Sequence, residues 1–365
     1  MSDSTLFKIG TFGKVEVKNR LMVAPMTRIS ASESGVPGDR MAQYYTRFAL
    51  GEFGTIITEG IYIDNAWSQT YSFQAGLVTT EQIQGWRKIT DDVHVNGGKI
   101  FAQLMHAGAI SQGNIYRDDT VAPSGIQPKG EQLEFYYGKG KYKFPKALKE
   151  DEILEIIRHF AEAAEHAVVE AGFDGIEIHG ANGYLLDQFF TDYSNQRTDR
   201  WGGDITGRLS LTLAVIAAVR ESVGADVPVG VRISQGKVND FNHKWKEGIE
   251  GASRVFALLA ESGVDFIHIT EHDALKSAFD DSPLSLIQIA RNAAPGIKII
   301  ANGSLGEGER SALAIEQGAD FVALGKSALA NPDWPQRVRN GSPLQEFDKD
   351  ILGPVANVKD SELSL

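Results

Sequence analysis

The chain has 365 residues, 48 acidic against 36 basic, a formal net charge of −12, and 42% apolar against 23% charged side chains. That composition excludes a disordered chain and leaves room for one large domain or two ordinary ones. So acidic a protein is a poor partner for nucleic-acid phosphates, which call for clustered Lys and Arg, and the lack of any cysteine rules out disulfides, thiolate metal sites, iron–sulfur clusters and a cysteine nucleophile.

In chain order, Met1–Thr5 lacks the basic and apolar blocks of a signal peptide, and no apolar run reaches membrane-spanning length. A soluble cytoplasmic protein is expected. After Phe12-Gly13, the segment Lys14–Lys18 alternates with period two. It is expected to form an N-terminal hairpin covering the bottom of whatever follows. Short apolar runs then recur at Leu21–Ala24, Phe53–Thr58, Lys99–Leu104, Gly175–His179, Val227–Ile233, Asp265–Thr270, Lys298–Ala301 and Ala319–Leu324. Helical spacing fills the intervals, most clearly in Asp151–Gly172, where Ile153, Ile156, Phe160, Ala164, Ala167 and Ala171 share a face and Gly172 supplies the stop. Similar patterns run through Thr80–Asn96, Ile205–Val223, Gly248–Gly263, Leu284–Ala294 and Gly306–Gly318.

Eight strands alternating with helical segments favour a closed (β/α)8 barrel of the α/β class. An open doubly wound sheet is the competing architecture, but no Gly-x-Gly-x-x-Gly opens a helix after the first strand. No low-complexity stretch or Pro/Ser-rich linker interrupts the chain, so residues 1–365 read as one domain. The third crossover is too long for a simple connection. Its aromatic- and lysine-rich stretch Glu134–Tyr142 is expected to make a hairpin excursion, about 109–148, over the barrel mouth.

In such barrels chemistry sits at the C-terminal strand ends. Those ends supply Pro25, Met26, Thr27 and Arg28; Thr58, Glu59 and Gly60; Gln103, Met105 and His106; His179, Asn182 and Tyr184; Arg232; Glu271 and His272; Asn302, Gly303 and Ser304; and Gly325 and Lys326. The small residues of the last two loops let backbone N–H groups approach a phosphate; tight strand-to-helix turns would look the same. Arg232 ends an apolar strand and needs an acceptor, either an anionic ligand or a carboxylate such as Glu59. His179 and Asn182 could both donate to one ligand oxygen, and Tyr184 could supply a proton. No His pair with a carboxylate partner stands at a strand end, so no metal is expected.

His179–Gly203, HGANGYLLDQFFTDYSNQRTDRWGG, resembles the signature of the Old Yellow Enzyme family of flavin-dependent ene-reductases. Leu21–Arg28 (LMVAPMTR), Tyr44-Tyr45, Thr58-Glu59-Gly60, Gln103–Gly108 (QLMHAG) and Gly318–Pro335 extend the resemblance over most of the chain. It implies a barrel holding non-covalent FMN, NADPH or NADH as electron donor, and a small-molecule acceptor carrying an activated alkene. Pro25, Met26 and Thr27 would lie along the flavin and Gly60 would give its ring room. Gln103 would bond the pyrimidine edge, Arg232 would face its N1/C2 side, and Gly303, Ser304, Gly325 and Lys326 would cradle the phosphate. His179 and Asn182 would hold the substrate oxygen, Tyr184 would protonate the substrate, and Met105 would border its pocket.

The chain also departs from that family. Ala109 stands where many members have Arg, Lys326 where Arg is usual, Thr206-Gly207 where Glu-Asn is common, and Met105 where some carry Trp. Thr27 takes the place of a flavin-side cysteine found in some branches. Phe347–Leu365 contains no Tyr or Trp to build an aromatic wall. A flavin-binding sensor without turnover, or a flavin-free sugar-phosphate aldolase or isomerase, are the alternative readings. The second would need a Schiff-base lysine or carboxylate base at a strand end, and none stands out.

Overall fold

Each apolar run, followed by an amphipathic helix, can pair only in parallel with the next run, and the eight runs do so until the last meets the first. The structure is a computed structural model that describes residues 5–363; of the N-terminal segment read above, residues 1–4 lie outside it. The chain opens with a hairpin of β1 (Gly10–Phe12) and β2 (Val15–Val17), antiparallel as the alternation predicts. The strands β3 (Leu21–Val23), β4 (Thr55–Tyr62) and β5 (Ile100–Met105) follow. After the short β6 (Val121–Ala122) and β7 (Lys146–Ala147) come β8 (Gly175–His179), β9 (Val229–Ile233), β10 (Phe266–Thr270), β11 (Lys298–Asn302) and β12 (Phe321–Leu324). The closed order is β3-β4-β5-β8-β9-β10-β11-β12, with Val322 of β12 in register with Leu21 of β3. The eight expected strands are thus the barrel.

Helices lie where the spacing puts them, at Thr80–Val95, Glu150–Glu165, Ile205–Val223, Gly248–Glu261, Leu286–Ala293 and Gly308–Glu316. Thr79 and Ser285 open two of them with reciprocal bonds to Gln82 and Gln288. After Glu165 the helix loosens into a π turn, His166–Glu170, before Gly172 stops it in the left-handed region at φ 77°. A helix not expected above, Asp39–Leu50, fills the first crossover, burying Met41, Tyr44, Tyr45 and Phe48 at spacings of three and four. Among the described residues no helix is long and apolar enough to cross a membrane.

The excursion differs from expectation. It forms no hairpin; β6 and β7 make a two-residue parallel pair, and the stretch between them is irregular. Gly140 (φ 70°) and Tyr137 (φ 63°) break the alternation there. Gln112 Nε2 instead pins the loop by donating to the carbonyls of Leu133 (2.9 Å) and Tyr136 (3.2 Å). The loop does reach the barrel mouth, where the Tyr136 hydroxyl donates to the Thr27 carbonyl at 3.1 Å.

The hairpin plugs the opposite end. Phe12, wholly buried, stacks on Phe321 with ring centroids 4.2 Å apart and meets Phe101 and Phe266 edge-on at 5.4 and 5.3 Å. This phenyl floor closes the lower barrel interior and leaves only the upper end open to ligands. Phe12→Ala should therefore cost about 3–5 kcal/mol of stability, measured by urea denaturation.

Candidate functional site

The parallel strands bring their C-terminal ends to one rim, around a cavity of about 760 Å³. That is within the usual range for a cofactor and a small substrate together. Pro25, Met26, Thr27, Gln103, His179, Asn182, Tyr184, Arg232, Gly303, Ser304, Gly325 and Lys326 all line it. Gly60 and Met105 do not. Gly60 lies in β4 opposite Gln103, and a Cβ there would sit 2.2 Å from Met105 Sδ. Its missing side chain makes room for Met105, which packs, 1% exposed, among Ile110, Tyr142 and Tyr184. The contact that the structure shows at these two positions is thus the packing of Met105 against Gly60.

Arg232 ends β9 in register with His179 on one side and His268 on the other. Its Nη2 donates to Asn302 Oδ1 at 2.8 Å and Thr270 Oγ1 at 3.2 Å, both neutral acceptors. Its Nε is buried with no partner. Glu59 is not the acceptor; that buried carboxylate takes the Arg28 N–H at 3.2 Å and the Tyr45 hydroxyl at 3.1 Å. Burial pushes the Glu59 pKa up to about 7. A buried guanidinium that hydrogen-bonds only neutral groups, with the Glu177 carboxylate favouring its charge from beyond hydrogen-bond reach, keeps donor capacity for an anionic or electron-rich ligand.

The far end of the cavity has the chemistry of a phosphate cradle. The backbone N–H groups of Gly303, Ser304 and Gly325 donate to no acceptor among the described residues. Gly303 has φ 136°, and a Cβ there would lie 2.1 Å from the Glu271 carbonyl, so only glycine fits. The Lys326 ammonium stands 5.8 Å from the centre of the Phe347 ring. Orphaned donors beside a cation suit the phosphate of FMN.

His179 ends β8. Its Nδ1 accepts the Ala181 N–H at 3.4 Å, which leaves Nε2–H as the donor toward the cavity. Burial, then the charge of Arg232, holds its pKa well below the ordinary histidine value, so the ring is neutral. Asn182 sits in the left-handed region at φ 60°, its N–H held by Ser234 Oγ at 2.9 Å. Tyr184 packs edge-on against His179 at 4.9 Å between centroids, and burial pushes its hydroxyl up to about 12.

Several cavity residues went unread in the sequence. Tyr71, whose hydroxyl lies 2.8 Å from that of Tyr184, comes from an irregular loop with no period to flag it. Phe241 comes from a loop and Leu352 from the C-terminal segment, so the wall expected to lack an aromatic is aliphatic there, whereas Phe135 and Tyr136 belong to the Glu134–Tyr142 stretch expected over the barrel mouth. Ala109 is buried away from this cavity, its N–H bonded to Gln188.

Comparison with known proteins finds relatives over most of the chain. Residues 5–345 match the model of the NADH:flavin oxidoreductase / NADH oxidase family. A protein of Leishmania infantum, named as a probable flavin mononucleotide-dependent alkene reductase, is 36% identical over 91% of this chain and 89% of its own length. The old yellow enzyme homologue from Zymomonas mobilis superposes with a TM-score of 0.87 at 31% identity, covering 98% of both chains. Morphinone reductase, solved with tetrahydroNAD, superposes with a TM-score of 0.84 at 32% identity over 95% of this chain and 93% of its own.

If Arg232 answers the cofactor, Arg232→Met should weaken FMN binding roughly ten- to a hundredfold, the worth of one charged hydrogen bond, read from the quenching of flavin fluorescence. Unchanged affinity would assign the guanidinium to Thr270 and Asn302 alone.

Proposed function

The chain belongs to the NADH:flavin oxidoreductase / NADH oxidase family, and from that premise we propose that it reduces activated alkenes with hydride taken from NADPH or NADH. The acceptors are α,β-unsaturated carbonyl or nitro compounds, with nitroesters and quinones as related substrates. Arg232, Gln103 and the Gly303–Ser304 and Gly325–Lys326 loops would hold FMN, which when bound would supply the hydride-transfer chemistry between nicotinamide and alkene. The cavity's neutral polar wall carries the rest of the reading.

Nε2–H of His179 and the side-chain amide of Asn182 meet the carbonyl or nitro oxygen of the acceptor. A neutral imidazole suits this task, because it donates without adding a second cation beside Arg232. Both donors draw electron density from the double bond, which makes its β-carbon receptive to hydride. Tyr184 supplies the proton to the α-carbon. Its raised pKa keeps the hydroxyl protonated throughout the physiological range, so the acid is always loaded. The pocket around these three has Tyr71, Phe135 and Tyr136 in its wall. A flavin-free sugar-phosphate reaction loses its footing with the family assignment.

Tyr184→Phe should leave flavin reduction by NADPH intact and slow reoxidation by 2-cyclohexenone roughly a hundredfold, seen by anaerobic stopped flow. Equal loss in both half-reactions would refute the proton-donor role. His179→Ala should weaken binding of phenols, whose oxyanion presents the same acceptor, roughly tenfold or more. Unchanged phenol affinity in a spectral titration would count against its contact with the substrate oxygen.

A further inference from the structure

Beneath the cavity the barrel holds a carboxylate for which the proposed reaction has no use. Glu177 lies in β8, two residues before His179 and on the same inward face, and is wholly buried. Its Oε1 accepts from Gln103 Nε2 at 2.8 Å, and its Oε2 lies 2.7 Å from His268 Nδ1. Register alone brings these groups together, since Gln103 stands opposite Glu177 on the neighbouring strand. Among the described residues, no Lys or Arg forms an ion pair with it.

A carboxylate only accepts hydrogen bonds, so the Gln103 amide must turn its NH2 end toward Glu177. That leaves the carbonyl Oε1 as the end available to the cavity that Gln103 lines. His268 occupies the other carboxylate oxygen and keeps the group from rotating. Close by in the same polar cluster, Arg232 carries a buried donor, Nε, with no partner. The cavity floor therefore presents a fixed acceptor and a fixed donor, the complement of an N–H flanked by a carbonyl.

We propose that Glu177 is a positioning residue that locks the Gln103 amide in one orientation, so that the site selects a flavin by its imide N–H. The role rests on the reading that FMN lies with its pyrimidine edge at Gln103. Without the carboxylate, the amide could present either end and the selection would fade. Glu177→Gln keeps the shape while allowing two amides to pair either way round.

The test is a competition on the holoenzyme. FMN-loaded protein is equilibrated with rising 3-methyl-FMN, in which a methyl group replaces the imide hydrogen, and the FMN retained after rapid gel filtration is measured. Wild type should prefer FMN by roughly tenfold or more, and Glu177→Gln should bring the two flavins close to parity. A variant that binds both more weakly but keeps the wild-type ratio would overturn the positioning role, because general loosening does not sense the N-methyl group. Should Glu177→Gln fail to fold, Glu177→Asp withdraws the carboxylate from Gln103 while keeping its charge, and the same loss of preference is expected. A wild type indifferent to the methyl group would overturn the placement of the pyrimidine edge at Gln103, and the role of Glu177 with it.

Discussion

Closing eight strands into a barrel leaves an interior that side chains must fill, and here the filling changes character halfway up. The lower half is phenyl: Phe12 from the hairpin, with Phe101, Phe266 and Phe321 from the strands. Glycines in the barrel strands make that possible. A Cβ on Gly230 would lie 2.2 Å from the Phe266 ring, and one on Gly175 would lie 2.9 Å from Phe101. The chain's 38 glycines in 365 residues thus serve close packing inside the barrel as well as tight turns. Above the phenyl floor stand Glu177, His268 and Gln103, then Arg232, His179 and Asn302. The ligand site is the upper half of a core whose lower half is already dry and closed.

Within that polar half, the question is which charges are answered by the protein. Arg28 and Arg47 are as deeply buried as Arg232, yet both bind Glu362, at 2.5 and 3.2 Å. Arg28 also gathers the carbonyls of Ala356, Ile351 and Asn357. Those cations are structural: they clasp the C-terminal segment to the barrel. Arg232 has only neutral partners within hydrogen-bond reach and one orphaned donor. The contrast in partners, at equal burial, separates a structural arginine from one that waits for a ligand. It also explains how a chain of net charge −12 can hold an anionic cofactor, since the positive charge is local and the acidic excess lies elsewhere.

The barrel was legible in the sequence because parallel, doubly covered strands read as apolar runs and the helices between them carry a strong period. Strand ends were legible for the same reason: a polar residue that stops an apolar run is conspicuous, and Arg232, His179 and Asn302 each do so. Glu177 carried a signal of the same kind, a charge inside Gly175–His179 at the inward-facing period of two, but it lies one pleat below the rim. The aromatic excursion was legible as a long insertion and misread as a hairpin, because residue type fixed its polarity while glycine and positive-φ positions fixed its path. No sequence pattern links Gly60 and Met105, which lie on neighbouring strands; their mutual packing depends on the register of β4 against β5. Tyr71 offered nothing to read.

This division has a physical sense. Gln103, His179 and Arg232 sit on strands, held by neighbouring ladders, while Asn182, Tyr184, Gly303, Ser304, Gly325 and Lys326 follow directly after strand ends. The outer wall of the cavity comes from elsewhere: Leu133, Phe135 and Tyr136 from the excursion, Phe241 from the β9–β10 connection and Leu352 from the C-terminal segment. These pieces are tied to one another as well as to the barrel. Ala356 N–H donates to the Phe135 carbonyl at 2.9 Å, and Lys129 pairs with Asp240 at 2.7 Å. Phe241 is 78% exposed, an apolar ring left at the mouth with nothing of the protein over it. Chemistry and selectivity are therefore carried by different parts of the chain. On the proposed reading, the strands and the short turns that follow them carry the donors, the acid and the cofactor contacts, and the loop wall, free of Trp, sets the access to them.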